Sequence, residues 1–237
     1  PELRNAAMHV ASSLRATGRS VDLVLENKRL KWAFKHAERS GAQRLVMVMP
    51  DEWKDGKVRI KDLETGKKFF SGFANVINEM RKCSKFIIGR IQGKTVGGGV
   101  GIAAATDYCM ATKFAAIKLS ELNVGIGPFV VGPAVQRKLG LSAMSQIAMD
   151  ANSFYSAEWA KQKGLFSQVF ETADELDAAI LTFATNLCTY NPEAMAEMKK
   201  VFWAGTENWD RLLAERASIS GRLVLSEFTK ETLKKFK

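Results

Sequence analysis

Three consecutive glycines, Gly97, Gly98 and Gly99, stand between an apolar run over residues 86–91 and an alanine-rich stretch that leads to Asp107. Glycines at a strand-to-helix junction let the chain turn tightly and leave main-chain amides open to a ligand, and a helix start adds partial positive charge. An anionic oxygen is stabilised in such a place. The spacing is not that of a dinucleotide fingerprint, and no Gly-Lys-Ser/Thr phosphate loop is present. Close packing of the helix is the alternative reason for the same glycines. Further on, a second apolar run over residues 114–119 is followed by Ser120-Glu121-Leu122-Asn123-Val124-Gly125-Ile126-Gly127-Pro128, which sets one carboxylate at a strand end. On its own that carboxylate is either a surface acid or a proton carrier.

The other chemistry-bearing residues are more dispersed. Lys28, Arg29, Lys31, Lys35 and Arg39 form a basic set that suits either RNA phosphates or a solvated helix face. His9 and His36 have no partner spacing and read as structural. Cys83, Cys109 and Cys188 are far apart and odd in number, so neither a disulfide framework nor a zinc site is expected, and the thiols read as buried and inert. Free thiols fit a reducing compartment such as the cytoplasm, mitochondrial matrix or plastid, rather than secretion. The formal charge is +10, and residues 1–68 hold +6 of it, from 15 Lys/Arg against 9 Asp/Glu. That balance suits an anionic partner, either a phosphorylated cofactor or RNA, and equally suits plain solubility. No apolar run approaches the roughly 18 residues a membrane span needs, so no membrane partner is expected. The chain has no signal-type apolar start, although a removed targeting peptide stays open because the pattern is already under way at Pro1.

Elements must position these groups. Leu3, Ala7, Val10, Ala11 and Leu14 recur at helical spacing, with Gly18 beyond them as a stop. Val21, Leu23 and Leu25 alternate as a strand would, and Leu30, Ala33, Phe34 and Ala37 return to the helical period before Gly41. Residues 45–49 form a short apolar strand that Pro50 ends. Asp55-Gly56 and Glu64-Thr65-Gly66 are turn signals that flank the alternating 57–61 stretch, predicting a pair of antiparallel strands there. Residues 1–68 therefore read as a compact mixed α/β unit. From Phe70 the pattern changes, with Phe73, Val76, Ile77 and Met80 on one helix face before the 86–91 strand.

Residues 2–68 resemble the C-terminal anticodon-binding domain of histidyl-tRNA synthetases. The resemblance is carried by Lys28-Arg29-Leu30-Lys31-Trp32-Ala33-Phe34-Lys35-His36-Ala37, by Gly41-Ala42, and by Gly56-Lys57-Val58-Arg59-Ile60-Lys61-Asp62-Leu63-Glu64-Thr65-Gly66. It implies contact with tRNA through residues such as Lys28, Arg29, Lys31 and Lys35. The family's first strand and every motif of its aminoacylating domain are absent, which sets synthetase activity aside.

Residues 69–237 resemble the crotonase (enoyl-CoA hydratase/isomerase) superfamily. The resemblance rests on the run from Ile91 through the glycines to Asp107, on Ser120 to Pro128, on Val135-Gln136-Arg137-Lys138-Leu139-Gly140, on Ser156-Ala157-Glu158-Trp159-Ala160, and on Asn191-Pro192-Glu193-Ala194-Met195. It implies a partial ββα spiral with a C-terminal helical trimerisation part, preceded by the small α/β unit. The substrate it implies is an acyl-CoA thioester, with coenzyme A as part of the substrate, no tightly bound cofactor and no metal. Two backbone amides polarise the thioester carbonyl in that family while a carboxylate moves a proton. One amide maps to Gly98 and the carboxylate to Glu121, whose pKa a dry pocket would raise towards neutrality. Hydratases of the family carry a second glutamate where this chain has Gly101, so one-base isomerisation is the better chemical fit. The front half of the family's fold, with the other oxyanion amide and much of the adenine pocket, has no counterpart, because residues 1–68 stand in its place. In the 1–69 stretch the nearest candidate loop, Met49-Pro50-Asp51-Glu52-Trp53, offers a proline that has no N–H. Phe228 and Lys230 lie near the family's aromatic and basic CoA-contacting positions.

Three readings follow: an acyl-CoA isomerase or hydratase that uses Glu121, an inactive crotonase-like scaffold, and an RNA-binding module in residues 1–68. The family also implies a homo-oligomer, trimer or hexamer.

Overall fold

A computed structural model describes residues 2–26 and 28–235. The backbone divides into two compact units, Pro1–Gly66 and Lys67–Lys237. In the first, helix α1 (Glu2–Ala16) buries Ala6 and Ala11, and helix α2 (Leu30–Arg39) buries Ala37. Strand β1 (Arg44–Met47) is followed by the short helix α3 (Pro50–Lys54), with proline at its first turn, and by strand β2 (Arg59–Asp62). β1 and β2 pair antiparallel, from Arg44 opposite Asp62 to Met47 opposite Arg59.

Two expectations for this unit are corrected. The 57–66 stretch does not form its own hairpin. Its strand pairs back to β1, and the Glu64-Thr65-Gly66 turn signal is absorbed by helix α4 (Leu63–Lys82), because the apolar face from Phe70 to Met80 extends the helical period backwards over it. Residues 21–25 keep a strand's alternating exposure but join no ladder, and Val24 and Leu25 stay exposed. A lone strand leaves its backbone groups unpaired, and here Arg15 donates to the Val21 carbonyl at 2.7 Å instead.

The second unit runs from the body of α4 through strands β3 (Ile88–Ile91) and β4 (Lys94–Val96), helix α5 (Gly98–Ala105), strands β5 (Tyr108–Thr112) and β6 (Ala116–Lys118), and a 3-10 turn (Glu121–Val124). Helix α6 (Gly132–Met149) follows, interrupted at Gly140, then strand β7 (Tyr155–Ser156), helix α7 (Ala157–Gln162) and strand β8 (Gln168–Phe170). Helices α8 (Ala173–Leu187), α9 (Pro192–Phe202), α10 (Trp209–Val224) and α11 (Glu227–Lys234) complete it. Each winding of the chain adds one strand to each of two sheets. One sheet has the order β3-β5-β8, all parallel; the other has the order β4-β6-β7, parallel and then antiparallel. This is the ββα spiral that the sequence predicts, with mixed α/β content throughout.

The local signals are physical. Ser156, Thr172, Asn191 and Ser226 each accept a backbone N–H at the start of α7, α8, α9 and α11, which satisfies donors a helix start otherwise leaves open. α5 is apolar throughout because most of it is buried, with Val100, Ala103, Ala104 and Ala105 almost fully enclosed. Ile77, Ile117, Leu119, Val135 and Ile147 pack in the same core. Of the three thiols only Cys109 is buried, and burial pushes its pKa up to about 11. Cys83 is half-buried and Cys188 is exposed at the end of α8, which corrects the expectation of three buried thiols.

Candidate active site

The glycine cluster and Glu121 come from neighbouring strands of one sheet. Parallel pairing of β4 with β6 sets Val96 opposite Lys118, so the segments that leave both strand ends emerge side by side. The Gly97 N–H donates to the Lys118 carbonyl at 2.8 Å. Gly97 has a positive φ of 55° and ends the strand with a turn that a side chain would strain. α5 begins immediately, and the Gly97 carbonyl accepts the Val100 N–H at 3.0 Å. The Gly98 and Gly99 amides precede any intrahelical acceptor and have none elsewhere among the described residues. They are free donors at the positive end of a helix.

Glu121 opens the 3-10 turn, and Gly125 closes it in the left-handed conformation. A methyl group placed on Gly97 would lie 3.3 Å from Glu121 Oε1, so the carboxyl group stands against the glycine turn. Its Oε2 is buried with no hydrogen-bond partner among the described residues. Desolvation raises the Glu121 pKa above the ordinary carboxylate value, and a bond to its own backbone N–H offsets this only in part. A desolvated carboxyl with one oxygen unpartnered, beside free amides, is the combination that proton transfer at a carbonyl compound requires.

Gly101 is closely covered by Val131. A Cβ there would lie 2.3 Å from Val131 Cγ1, so Val131 occupies the volume that a second acidic side chain would need. Gly101→Ala is therefore expected to cost about 1–3 kcal/mol through overpacking, seen as a lower urea midpoint at unchanged slope. An unchanged midpoint would mean that Val131 yields freely. On the other flank, a Cβ at Gly98 would lie 2.5 Å from Phe73 Cε1. The Phe73 ring of α4 thus covers the first residue of α5, with Phe69 edge-on to it at 5.7 Å. Sequence reasoning placed Phe73 on a helix face and missed Val131 altogether, because neither role has a local signal.

Phe228 and Lys230 separate. The Phe228 ring packs on Gly125, where a Cβ would meet its Cδ1 at 2.5 Å, so it braces the turn that carries Glu121 while two-thirds of the residue stays exposed. Lys230 lies 3.5 Å from Glu227 on its own helix.

The basic set of the first unit is also redistributed. Arg29 lies ahead of α2, and its carbonyl accepts the Trp32 N–H at 2.8 Å. Lys28 pairs with Glu26 at 2.8 Å and stands 5.5 Å from the centre of the Trp32 ring. Both residues therefore precede the helix face on which the sequence placed them. Lys35 is exposed on α2, and the side chain of Lys31 lies outside the described residues. His36 pairs with Asp22 at 2.7 Å and stacks on Trp32, a structural role, whereas His9 is exposed on α1. Among the described residues no group of acids, histidines and cysteines could hold a metal ion, and no helix is long and apolar enough to cross a membrane.

Comparison with known proteins finds two different families along the chain. Residues 1–82 match the anticodon binding domain family. Over 68 residues the chain is 53% identical to the chloroplastic/mitochondrial histidine–tRNA ligase of Arabidopsis thaliana, a match that covers 29% of this chain and 14% of the ligase. It is 29% identical over 156 residues to the peroxisomal Delta(3,5)-Delta(2,4)-dienoyl-CoA isomerase of Arabidopsis thaliana, covering 64% of this chain and 55% of the isomerase. With the mitochondrial methylglutaconyl-CoA hydratase of Mus musculus the identity is 27% over 198 residues, covering 82% of this chain and 61% of the hydratase. The chain thus spans only part of the length of each relative. The crystal structure of an enoyl-CoA hydratase from Mycobacterium avium shares the fold, with a TM-score of 0.68 at 24% identity, over 73% of this chain and 68% of that one. The spiral, the helix that starts on open glycine amides and the buried carboxyl at the neighbouring strand end coincide with a match of residues 55–236 to the enoyl-CoA hydratase/isomerase family, and the chain belongs to that family.

Proposed function

We propose that the chain catalyses one-base proton transfer next to the thioester carbonyl of an acyl-CoA, with Glu121 as acid and base. Glu121 takes the proton from the carbon α to the carbonyl, the C–H electron pair passes into an enolate, and the Gly98 N–H holds the enolate oxygen. Return of the same proton from Glu121 to the γ carbon shifts the double bond, with no net gain or loss of atoms. The observation that carries this reading is the buried Glu121 Oε2, partnerless beside the glycine turn. Val131 in the volume beside Gly101 favours isomerisation over hydration, since hydration in the family uses two carboxylates. Coenzyme A enters only as part of the substrate. The Gly99 amide is the nearest candidate for a second donor, and a site that works with one donor alone loses on the order of 100-fold to 1000-fold in rate.

The test is conversion of a 3-enoyl-CoA to its 2-enoyl isomer by the purified chain, alongside titrations of crotonyl-CoA and free CoA. Double-bond migration without addition of water is the expected result, with at most partial deuterium uptake from D2O because Glu121 returns the proton it took. Saturable binding without turnover would leave the chain as a scaffold, and neither would end the acyl-CoA reading. The same sample gives the oligomer mass, where a trimer or hexamer is proposed.

A second reading concerns residues 1–68 as one domain beside an acyl-CoA domain of 69–237. The 53% identity to a histidine–tRNA ligase favours an RNA-binding role for that segment. Its exposed Arg29 and Lys35 have no ion-pair partner among the described residues. Filter binding of tRNA is expected to weaken by about tenfold or more between 50 and 200 mM salt and to weaken further in Arg29→Ala/Lys35→Ala. Salt-insensitive binding would discard the role.

A further inference from the structure

We propose that a second site, built on α6 and α9 and separate in its residues from Glu121 and the glycines, binds the phosphate group of a small phosphate or phosphate ester. A cleft of about 550 Å³ is lined by Thr106, Asp107, Arg137, Lys138, Phe202 and Trp203. That volume lies in the range of small-molecule sites, roughly 300–1,000 Å³.

Its unspent hydrogen-bonding capacity consists of donors. The Asp107 carboxylate already accepts three bonds: Lys199 Nζ donates to Oδ2 at 2.5 Å, the Ile87 N–H to Oδ2 at 2.8 Å and the Trp203 indole N–H to Oδ1 at 2.8 Å. The Thr106 hydroxyl is spent on the Ala103 carbonyl at 2.7 Å. Lys138 Nζ, by contrast, donates only to the Asp107 backbone carbonyl, at 3.0 Å. An ammonium has three N–H groups, and the others have no partner among the described residues. Arg137 spends one guanidinium N–H on the Phe202 carbonyl and lays its plane 5.6 Å from the centre of the Trp203 ring, which leaves the rest of its five donors.

The charges agree. Arg137, Lys138 and Lys199 oppose Asp107 and the nearby Glu207, whose carboxylate accepts the Gly205 N–H at 2.8 Å. One net positive charge remains around a cleft in which burial disfavours the charged form of Lys138. A phosphate brings several acceptor oxygens and a charge of opposite sign, and a guanidinium beside an ammonium is suited to hold it. The space beyond Arg137 and Lys138 is open to an attached organic group, bordered by the exposed ring of Phe202.

Calorimetric titration of the full chain with inorganic phosphate, and separately with adenosine 5′-monophosphate, at constant ionic strength tests this. Saturable binding is expected, at least tenfold weaker in Arg137→Gln and in Lys138→Gln, and unchanged in Arg211→Gln, whose exposed guanidinium lies 3.8 Å from Glu215. Tighter binding of the nucleotide identifies an ester as the ligand, and equal binding identifies free phosphate. No saturable binding of either at millimolar concentration overturns the site. So does an affinity that falls equally in Arg211→Gln, because overall positive charge would then explain it. Arg137 is exposed, so its variant folds even where Lys138→Gln does not.

Discussion

Glu121→Gln is expected to abolish acyl-CoA isomerisation, by a factor of about 100 to 10,000, the usual worth of a positioned acid or base, and to leave the fold at least as stable at pH 7. The second half of that expectation separates chemistry from structure. A carboxylate held by partners stabilises a protein, and its removal costs stability. Glu121 is in the opposite position, because Oε2 has no partner and burial raises its pKa above the ordinary value. A carboxyl whose folded pKa lies above its unfolded one imposes no penalty at pH values below both. The penalty grows as pH rises from the unfolded to the folded pKa, and above both it is complete. The glutamine variant should therefore match the wild type in acid and equal or exceed it in thermal midpoint near neutrality. The same shift governs activity. The base form is populated only as pH rises through the raised pKa, so kcat/KM should climb on the acid side and lose that limb in the variant. Turnover that survives Glu121→Gln would remove this residue from the reaction. A large loss of midpoint would mean that the carboxyl holds the turn together, and the lost rate would then report misfolding.

How much of this was legible beforehand depends on how far apart the cooperating residues lie. The glycine cluster and Glu121 each have a local signature, a strand followed by special backbone residues, and register between β4 and β6 brings the two together. Helix starts have the same local character: Ser156 and Asn191 act on amides two or three residues away. Turn signals were less reliable. Glu64-Thr65-Gly66 has the residue types of a turn and forms part of α4, since a long amphipathic face outweighs local turn chemistry. Residues 21–25 have the alternation of a strand and lack a neighbour to pair with, and pairing is not a property of the segment itself. Val131 filling the space beside Gly101 was unreadable, because it depends on how α6 packs against α5. That contact nonetheless bears most directly on the chemistry, since it turns a missing glutamate into a volume that is already taken.

The Asp107 cluster is the extreme case of such long-range dependence, and it is where the largest loss of stability is expected. Asp107 and Lys199 lie 92 positions apart in sequence, with side chains only 4% and 3% exposed. The pair joins the loop before β5 to α9, while the Trp203 indole and the Ile87 amide complete the carboxylate's shell. Lys199 also donates to the Lys85 carbonyl at 3.3 Å. Removing one member of a buried pair strands the other charge in a medium that solvates it poorly, which typically costs about 3–5 kcal/mol. Lys199→Met keeps the length and most of the volume of the side chain, so its effect isolates the charge. With roughly 2–4 °C of midpoint per kcal/mol for a domain of this size, the thermal midpoint of the unit should fall on the order of 10 °C. Asp107→Asn should also destabilise. The double variant should cost clearly less than the two single losses combined, because each removal relieves the strandedness created by the other. If Lys199→Met lowers stability by less than about 1 kcal/mol, the range of exposed surface pairs, or if the two losses add, then packing of α9 rather than the ion pair holds this end of the spiral.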